Sequence, residues 1–436
     1  RILPRVNEDI NEEWISDKTR YACDGLKNQR LDTPYIKEDN KFKKTSWDLA
    51  YEAVVKKINK TPSEKIACLT GDLTNMETMY VAKEFFNKTI KSKYIDSRSD
   101  HFYVNNTNRS NYIFNSKING IEESDLIILI GTNPRYEATI LNARIRKAHL
   151  KNKTKIYSLG DQGSLTYPYK TIPANSKTIK DICENNHEIS NKIINSKKPM
   201  IIIGQSALKL KSSKFIFESI KNFLILNNKI SNQWNAFNII SENASTVGGY
   251  DLDLLGPDKE KNTTLTEMQK NNFDIIFLLG QDNINFKKKN EFIIYVGSHG
   301  DKGAEVADVI LPGATYTEQD GYFTNLEGKI QKAFQATYPP GDAKEDWLIL
   351  NDLSKLLKRK KIFKNKDELI DSLMNYLNLK KNNKNSQEFS APDYIEEKIS
   401  LDLNDYYYSN VIARSSKTMS ECRNTKIDLK RTGTEI

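Results

Sequence analysis

The chain alternates between short, continuously apolar runs and longer amphipathic segments. Six apolar runs have the length of a strand and end at a glycine or a Pro-Gly pair; they are Ile66–Thr70, Leu126–Ile130, 200–203, Ile275–Leu279, 292–296 and 309–311. Continuous apolarity indicates that both faces of a strand are covered, which is typical of a parallel sheet between helix layers. The pattern therefore predicts an α/β protein with mainly parallel sheets.

The segments between these runs carry helix signals. Ser46 precedes an apolar stripe at helical spacing within residues 50–58, and Pro62 closes that segment. Thr74 and Glu77 have the spacing of a capping box, in which each side chain accepts a backbone amide at the start of a helix. The buried face of that second helix is predicted to contain Met79, Ala82 and Phe86.

The run Leu126–Ile130 opens a unit of strand, glycine loop, helix and strand. Its helix is predicted to direct Leu141, Ile145 and Ala148 inward, and its second strand is predicted at residues 156–159. Units of this length connect parallel strands by right-handed crossovers. The predicted architecture is therefore doubly wound, in two lobes.

Length and local composition suggest four parts, because 436 residues exceed one ordinary core. They are an opening segment at residues 1–45, a first α/β lobe at 46–231, a second α/β lobe at 232–380, and a linker with a docking tail at 381–436. Residues 232–266 are rich in Asn, Ser, Thr and Gly and are predicted to form long loops. Residues 380–392 are predicted to be the linker. The tail is expected to dock onto the body of the protein, with contact to another subunit as the alternative.

Charge and candidate ligands exclude several classes of function. The net charge is +9, but the basic residues are scattered, and the one dense run, residues 355–366, has no interleaved stacking aromatics, which argues against nucleic-acid binding. The four cysteines and four histidines lack the close spacing of metal or iron-sulfur ligands, so they are predicted to be packed thiols and satisfied or solvent-facing imidazoles. No apolar run has the length of a membrane span.

Candidate chemistry lies in the loops after Ile130, Ile203, Leu279 and Leu311. In open α/β sheets ligands bind outside the carboxyl ends of strands, where glycine lets backbone amides approach a phosphate. The Pro-Gly turn after Leu311 is expected to leave several backbone amides free to face a ligand. Motifs of serine hydrolases, P-loop NTPases, zinc proteases and dinucleotide-binding dehydrogenases are absent from the sequence.

Two longer stretches carry a family resemblance. Residues 307–331, ADVILPGATYTEQDGYFTNLEGKIQ, resemble the signature by which molybdopterin oxidoreductases enclose a pterin guanine dinucleotide. The opening, residues 1–20, and colinear stretches through residues 413–419 resemble the family of the large iron-sulfur subunit of respiratory complex I. The resemblance implies a molybdopterin-oxidoreductase-like fold, and it makes residues 1–45 the remnant of a preceding domain.

The resemblance also bears on the site. It implies that residues 131–135, GTNPR, and residues 311–314, LPGA, line the dinucleotide cleft. The stretch that would supply a ligand to molybdenum corresponds to residues 102–110, which contain no thiol, although Ser110 remains conceivable. No catalytic, cofactor-binding or metal-binding residue is therefore assigned, and the cleft is expected to be vestigial.

The function implied by the resemblance is architectural. The chain would be a split carboxyl-terminal portion of the subunit, in the peripheral arm on the matrix side of the mitochondrial inner membrane, supporting NADH-to-ubiquinone electron transfer. It is expected to begin after the ferredoxin-like portion, to hold no cofactor, and to pair with a separate cluster-bearing chain and other peripheral-arm subunits. A catalytic molybdenum or tungsten oxidoreductase fragment is the alternative, and an autonomous nucleotide-binding module is a third hypothesis.

Overall fold

A computed structural model describes residues 1–382 and 393–432. Strands in that part of the chain, numbered in order, are β1 Tyr35–Glu38, β2 Lys41–Lys44, β3 Ile66–Thr70, β4 Ile95–Asp96, β5 Leu126–Ile130, β6 Lys155–Leu159, β7 Lys170–Ile172, β8 Pro199–Ile203, β9 Phe237–Ile239, β10 Ile275–Leu279, β11 Phe292–Gly297, β12 Val309–Pro312, β13 Gly321–Thr324 and β14 Ile330–Ala333.

Helices in the same part of the chain are α1 Asp17–Tyr21, α2 Trp47–Ile58, α3 Met76–Glu84, α4 Pro134–Glu137, α5 Thr139–Asn152, α6 Ser176–Cys183, α7 Glu188–Asn195, α8 Gln205–Leu208, α9 Ser213–Leu226, α10 Thr246–Asp251, α11 Thr263–Gln269, α12 Lys302–Val306, α13 Asp346–Lys358, α14 Lys366–Asn382, α15 Val411–Ser415 and α16 Lys417–Thr432. Short 3₁₀ turns and a π-helical extension of α3, Phe85–Ile90, complete the described secondary structure.

The strands form a large sheet, a small sheet and a hairpin. The large sheet has the order β2-β1-β12-β11-β10-β3-β4 and is parallel except for β1 and β2. The small sheet has the order β7-β6-β5-β8-β9 and is parallel throughout. These two sheets, each carrying helices, confirm the predicted α/β architecture.

The sheets are interleaved along the chain. After β4 the chain leaves the large sheet, builds the whole small sheet, and returns to the large sheet at β10, which lies beside β3. The large sheet therefore combines strands from both sides of residue 232. The domain boundaries predicted from the sequence stay a prediction. The large sheet itself crosses the boundary at residue 232, because β3 and β10 pair although they are far apart in the chain.

The six predicted strands are all present, as β3, β5, β8, β10, β11 and β12. In β3, β5, β8 and β10 every residue is buried, as expected for strands covered on both faces. The predicted inward residues of α5, Leu141, Ile145 and Ala148, are buried as well.

Helix α2 begins as predicted, because Ser46 caps it and accepts the Leu49 amide. The predicted capping box of α3 is wrong. Asn75 caps this helix by accepting the Thr78 amide at 2.9 Å. The Thr74 hydroxyl instead donates to the Leu279 carbonyl at 3.0 Å, and the Glu77 carboxylate accepts the Tyr322 amide at 2.9 Å. Both side chains are therefore used by tertiary contacts with distant strands.

The prediction of long loops at residues 232–266 is also wrong in part. This stretch contains β9, α10 and the start of α11. Val247, Tyr250, Leu252 and Leu254 are buried in the two cores, which explains why a region of polar composition is ordered.

The described part of the tail lies on the body of the protein. Ile399 is buried in the core of the small sheet, and its amide donates to the Ala174 carbonyl at 2.9 Å. Ala413 and Met419 pack with Ala22 near the amino terminus. The predicted linker falls mostly on residues 383–392, which are outside the described residues, while residues 380–382 belong to α14.

Three further observations bear on the composition-based predictions. Cys68 is buried and Cys23 and Cys183 are partly buried, but Cys422 is exposed, so the prediction of packed thiols fails there. Each histidine has a hydrogen-bond partner, as predicted. Among the described residues, none of the helices is long and apolar enough to cross a bilayer.

Candidate functional site

The carboxyl ends of the two sheets open onto a common cleft. Asp72 and Leu73, which follow β3 of the large sheet, line a cavity of about 230 Å³ together with residues that follow β5 and β9 of the small sheet. The Asn243 side chain, after β9, donates to Asp72 at 2.7 Å and so links the two strand ends. Of the predicted ligand loops, the one after β5 lines this cavity, and those after β10 and β12 line a second, smaller cavity that shares Leu73 with it.

The loop after β5 satisfies its own polar groups. Gly131 has a φ of +57°, and a Cβ there would lie 2.6 Å from the Ala207 amide nitrogen, so the loop packs against α8. The Thr132 hydroxyl donates to a carboxylate oxygen of Glu137 at 2.7 Å, and the Asn133 backbone amide donates to the same oxygen. The Asn133 amide, which could have donated to a phosphate of a ligand, thus donates to the Glu137 carboxylate of the protein itself.

The loop after β12 behaves in the same way. The Gly313 amide donates to the Gly297 carbonyl at 2.9 Å, and the Ala314 amide donates to Asp346 at 3.2 Å. The Thr315 amide donates to Glu318 at 2.9 Å. The expectation that the Pro-Gly turn leaves its amides free is therefore wrong, because carboxylates and a neighbouring strand occupy them.

Acidic side chains dominate the cleft. Burial raises the pKa of Asp72 to about 6, and the pKa of Asp282 and of Asp346 to about 7. Burial also raises the pKa of Glu137 and Glu242. The nearby Glu242 carboxyl adds to the rise in the pKa of Glu137, whereas the hydrogen bond with Glu137 partly offsets the rise in the pKa of Glu242. Each group is therefore held in surroundings that disfavour a negative charge.

These five carboxyl groups are not marked as a set by any pattern in the sequence. Asp72 lies one residue after the glycine that follows β3, and Asp282 lies two residues after the glycine that follows β10. These equivalent positions at strand ends could have predicted that both carboxyl groups lie in the cleft. Asp346 begins a helix far along the chain and Glu242 follows the unpredicted β9, so their arrival in the cleft depends on tertiary structure.

The carboxyl-terminal strap, residues 402–416, lies across the mouth of the cleft. On the small-sheet side Asp402 pairs with Lys209 at 2.7 Å, and the Asn404 side chain donates to Glu242. In the middle the Lys18 ammonium donates to the Ser409 hydroxyl at 2.9 Å.

On the large-sheet side the strap enters the cleft as α15. Val411 and Ile412 line a residual cavity of about 40 Å³ with Gly280 and Thr315. Arg414 pairs with Asp301 at 2.6 Å. The backbone of Ile412 lies so close to Gly25 that a Cβ at position 25 would come within 2.0 Å of the Ile412 carbonyl oxygen. The strap thus fills this end of the cleft almost completely.

The stretch proposed to correspond to a metal-ligand loop is tied into the body of the protein. Arg109 forms a two-point ion pair with Asp251, at 2.8 and 2.7 Å, and also donates to the Gly328 carbonyl. The Ser110 hydroxyl donates to the Asn108 side chain at 3.0 Å. Within residues 1–382 and 393–432, no group of three or more His, Cys, Asp and Glu side chains could hold a metal ion.

The sequence matches three family models. The model for molybdopterin oxidoreductases matches residues 30–356. The 4Fe-4S domain model of NADH-ubiquinone oxidoreductase NDSU1/NuoG-like proteins matches residues 1–24, and a model for the carboxyl-terminal part of the same kind of NADH-ubiquinone oxidoreductase subunit matches residues 375–422. The expectation that this chain holds none of the iron-sulfur portion is corrected by the second match, since residues 1–24 resemble a 4Fe-4S domain.

Similar proteins span several groups of organisms. The NADH-ubiquinone oxidoreductase 75 kDa subunit of Reclinomonas americana is 38% identical, over 97% of this chain and 64% of that protein. An NADH-quinone oxidoreductase subunit of Rickettsia bellii is 36% identical, over 99% and 63%. The mitochondrial NADH-ubiquinone oxidoreductase 78 kDa subunit of Candida albicans is 36% identical, over 98% and 61%. The chain thus spans somewhat less than two thirds of the length of these relatives.

Two solved structures share the fold. A chain of the formyltransferase/hydrolase complex from Methylorubrum extorquens superposes with a TM-score of 0.55 at 12% identity, covering 75% of this chain and 99% of that chain. Acetylene hydratase from Pelobacter acetylenicus superposes with a TM-score of 0.51 at 12% identity, covering 86% and 68%. At this identity the likeness concerns architecture alone.

Proposed function

Given that the chain belongs to the molybdopterin oxidoreductase family, we propose that it is a structural subunit of the peripheral arm of respiratory complex I. In this proposal it supports electron transfer from NADH to ubiquinone on the matrix side of the mitochondrial inner membrane. It does so by positioning an iron-sulfur portion rather than by carrying out chemistry. The names and extent of its relatives support this role, since both mitochondrial and bacterial NADH dehydrogenase subunits match nearly the whole chain.

The main support for an architectural role is that the backbone amides of the cleft already have acceptors within the protein. A pterin guanine dinucleotide is anionic through its phosphates, and such ligands require free backbone amides or cations at strand and helix ends. Here the amides of Asn133, Ala314 and Thr315 already donate to carboxylates of the protein. The residues present therefore do not fit the cofactor of this fold family.

The strap gives a second, independent argument. A dinucleotide at the end of the large sheet would have to displace Val411 and Ile412 and separate Arg414 from Asp301. About 40 Å³ remains there, which is far below the roughly 300–1,000 Å³ of pockets that hold small-molecule ligands and cofactors. We infer that the strap has taken the place of a cofactor in stabilising the two sheet ends against each other.

We infer that another polypeptide completes the iron-sulfur portion that this role needs. An iron-sulfur cluster is commonly held by four cysteine thiolates, and residues 1–24, which match a 4Fe-4S domain, contain one cysteine, Cys23. We propose that a separate chain provides the remaining cysteines and that other peripheral-arm subunits are further partners.

Elemental analysis of the native complex tests the proposal. The tagged chain, purified under mild conditions together with its partners, is expected to co-purify with NADH dehydrogenase subunits and to contain neither molybdenum nor tungsten, with no pterin released on denaturation. Stoichiometric molybdenum or tungsten would favour the alternative, a catalytic oxidoreductase. Stoichiometric release of a guanine nucleotide without metal would favour a nucleotide-binding module.

A further inference from the structure

The end of α13 and the loop that follows it carry a dense group of cations. Residues 355–366 include seven lysine and arginine residues and no aspartate or glutamate. Of these cations, Lys366 pairs with Glu345 at 2.6 Å. The others are all exposed, and within the part of the chain that the structure describes their charged groups have no ion pair or hydrogen bond. They are Lys355, Lys358, Arg359, Lys360, Lys361 and Lys364.

The loop that carries these cations is held in a fixed shape. The buried Asn351 side chain accepts the amides of Ile362, at 2.8 Å, and Phe363, at 3.1 Å, and donates to the Phe363 carbonyl at 2.8 Å. The Phe363 ring is buried and stacks on Tyr80 with 5.9 Å between ring centroids. The Ser354 hydroxyl donates to the Lys360 carbonyl at 3.2 Å. The cations therefore project from an ordered backbone that keeps them close together.

A second element brings a further cation to the same place. The Ser354 and Thr89 hydroxyls are hydrogen-bonded at 2.9 Å, which joins the end of α13 to the π-helical extension of α3. That extension ends at Lys91, which is exposed and also lacks an ion pair among the described residues. The exposed cations of residues 355–364 together with Lys91 are called the basic face here.

The basic face lies at the opposite end of the large sheet from the cleft. Helix α3 starts after the carboxyl end of β3 and leads to β4, which is parallel to β3, so its extension ends at the amino end of the sheet. Helix α13 starts in the cleft, where Asp346 accepts the Ala314 amide, and ends beside that extension. A partner could therefore bind the basic face without entering the cleft or displacing the strap.

The charges of the basic face are not balanced within the described structure. Lys355 and Lys358 lie in the last turn of α13, where a cation is favoured by the helix dipole. Lys360, Lys361 and Lys364 lie beyond the helix and gain little from it, because the effect is confined to the terminal turn. Like charges that a fixed loop holds together repel one another, so an acidic surface placed against them would gain favourable electrostatic energy.

The side chains between the cations favour a polypeptide as the partner. Within residues 355–366 the only exposed large apolar residue is Leu356, which is 52% exposed. One such residue can be covered in a small protein contact with a charged rim, but it does not make the apolar face that inserts into a membrane surface. Phe363, the only aromatic residue of this stretch, is buried and so cannot stack on a nucleic-acid base.

From these observations we propose that the basic face is the docking surface for an acidic segment of a partner polypeptide. The cations pair with carboxylates of that segment, and Leu356 contacts an apolar side chain within it. This inference goes beyond the proposed function, because it follows from the charges of this face and requires no assumption about the reaction that the complex carries out.

Carbodiimide cross-linking of the native complex tests the contact. This reagent joins a lysine amine to a carboxyl group only where the two are in contact, and peptide sequencing then identifies both. We expect Lys358, Lys360 or Lys361 to be joined to aspartate or glutamate side chains within an acidic segment of another polypeptide. A complex in which none of these lysines is joined to another polypeptide would overturn the proposal.

Charge reversal gives a quantitative measure. In Lys358→Glu with Lys360→Glu and Lys361→Glu, we expect the cross-linked polypeptide to leave the tagged chain at about half the salt concentration needed for wild type, or less. The control, Lys177→Glu with Lys211→Glu and Lys287→Glu, makes the same change in net charge at exposed lysines outside the basic face and should behave as wild type. Release of the polypeptide at the same salt concentration from both triple variants would overturn the proposal.

A milder variant separates loss of contact from loss of folding. Lys358→Gln with Lys360→Gln and Lys361→Gln removes the charges without reversing them, so we expect release at an intermediate salt concentration and unchanged thermal unfolding. Two further probes are vesicles of phosphatidylcholine with phosphatidylserine and duplex DNA, each at about 0.15 M salt. If charge reversal abolished binding to either probe while no polypeptide was cross-linked, the partner would be a membrane or a nucleic acid, and the proposal would be wrong.

Discussion

The two ends of the cleft use the same chemistry but differ in how completely they are closed. At both ends a carboxylate accepts the loop amides, through Glu137 at the small sheet and Asp346 at the large sheet. At the large-sheet end α15 leaves about 40 Å³, whereas at the small-sheet end the strap leaves about 230 Å³.

The two ends of the cleft also differ in their charged groups. Arg414 enters the large-sheet end, where its guanidinium partly offsets the rise that burial causes in the pKa of Asp282. It acts in the same direction on Asp72, which lines the larger cavity. At the small-sheet end Glu137 and Glu242 both line the larger cavity, and the strap is held there by the more exposed Lys209–Asp402 pair and, towards its middle, by Lys18. We infer that the strap is fastened mainly at the large sheet and lies more loosely across the small one.

Gly25→Ala should produce the largest loss of stability, because the new methyl group would clash with the strap at its large-sheet end. The new Cβ would lie 2.0 Å from the Ile412 carbonyl oxygen, and neither backbone can move without shifting α15. We expect a loss of about 3 kcal/mol in unfolding free energy, with faster hydrogen exchange throughout the strap. Gly300→Ala is the control, because its nearest neighbours are 3.8 Å away. Equal protection of the strap in both variants would contradict the inferred fastening.

The parts of this fold that sequence analysis predicted are those that depend on local pattern. Buried strands such as β5 and β10 were found because both faces are apolar, and α2 was found because Ser46 caps it locally. Strands β1 and β2 were missed because β2 is fully exposed and carries three lysines among its four residues.

The acidic character of the site was missed for a different reason. Sequence alone suggests that acidic residues near strand ends are solvated, whereas the structure buries Asp282 and Asp346 behind the strap. That burial depends on the return of residues 402–416 to a cleft formed hundreds of residues earlier. The positions of the loops at the strand ends could therefore be predicted from the sequence. The filling of the cleft by the strap could not.

The dependence of stability on pH provides a smaller effect that compares the two ends. Burial raises the pKa of Asp346 from 3.8 to about 7, so the folded protein disfavours its ionised form. The stability of the protein should therefore fall as the pH rises from about 4 to about 7. In Asp346→Asn, which keeps an oxygen to accept the Ala314 amide, we expect this fall to be reduced by on the order of 2–3 kcal/mol in urea unfolding.

Two matched variants complete this measurement. Glu137→Gln should reduce the fall in the same direction but by less, because the larger cavity beside Glu137 can admit water. Asp48→Asn, which changes an exposed carboxyl in the first turn of α2, should leave the profile unchanged. If Glu137→Gln flattened the profile more than Asp346→Asn, the small-sheet end would be the more tightly closed of the two.

The smallest expected effect comes from the two cations that hold the strap. Arg414→Met removes an ion pair whose members are each 14% exposed, and leaves Asp301 without that partner. Lys18→Met removes a hydrogen bond to Ser409 and a contact with the Tyr406 ring at 4.8 Å. We expect losses of about 2 kcal/mol for the first and at most about 1 kcal/mol for the second, because the first leaves the largely buried Asp301 carboxylate without its cation, whereas the second leaves only an uncharged hydroxyl without its donor. Hydrogen exchange should show which residues each variant affects: Arg414→Met should speed exchange at residues 411–416, while Lys18→Met should speed exchange only at residues near 409.

If Lys18→Met speeded exchange throughout the strap and Arg414→Met did not, the strap would instead be fastened at its centre, and the contrast between the two ends of the cleft would lose its energetic basis.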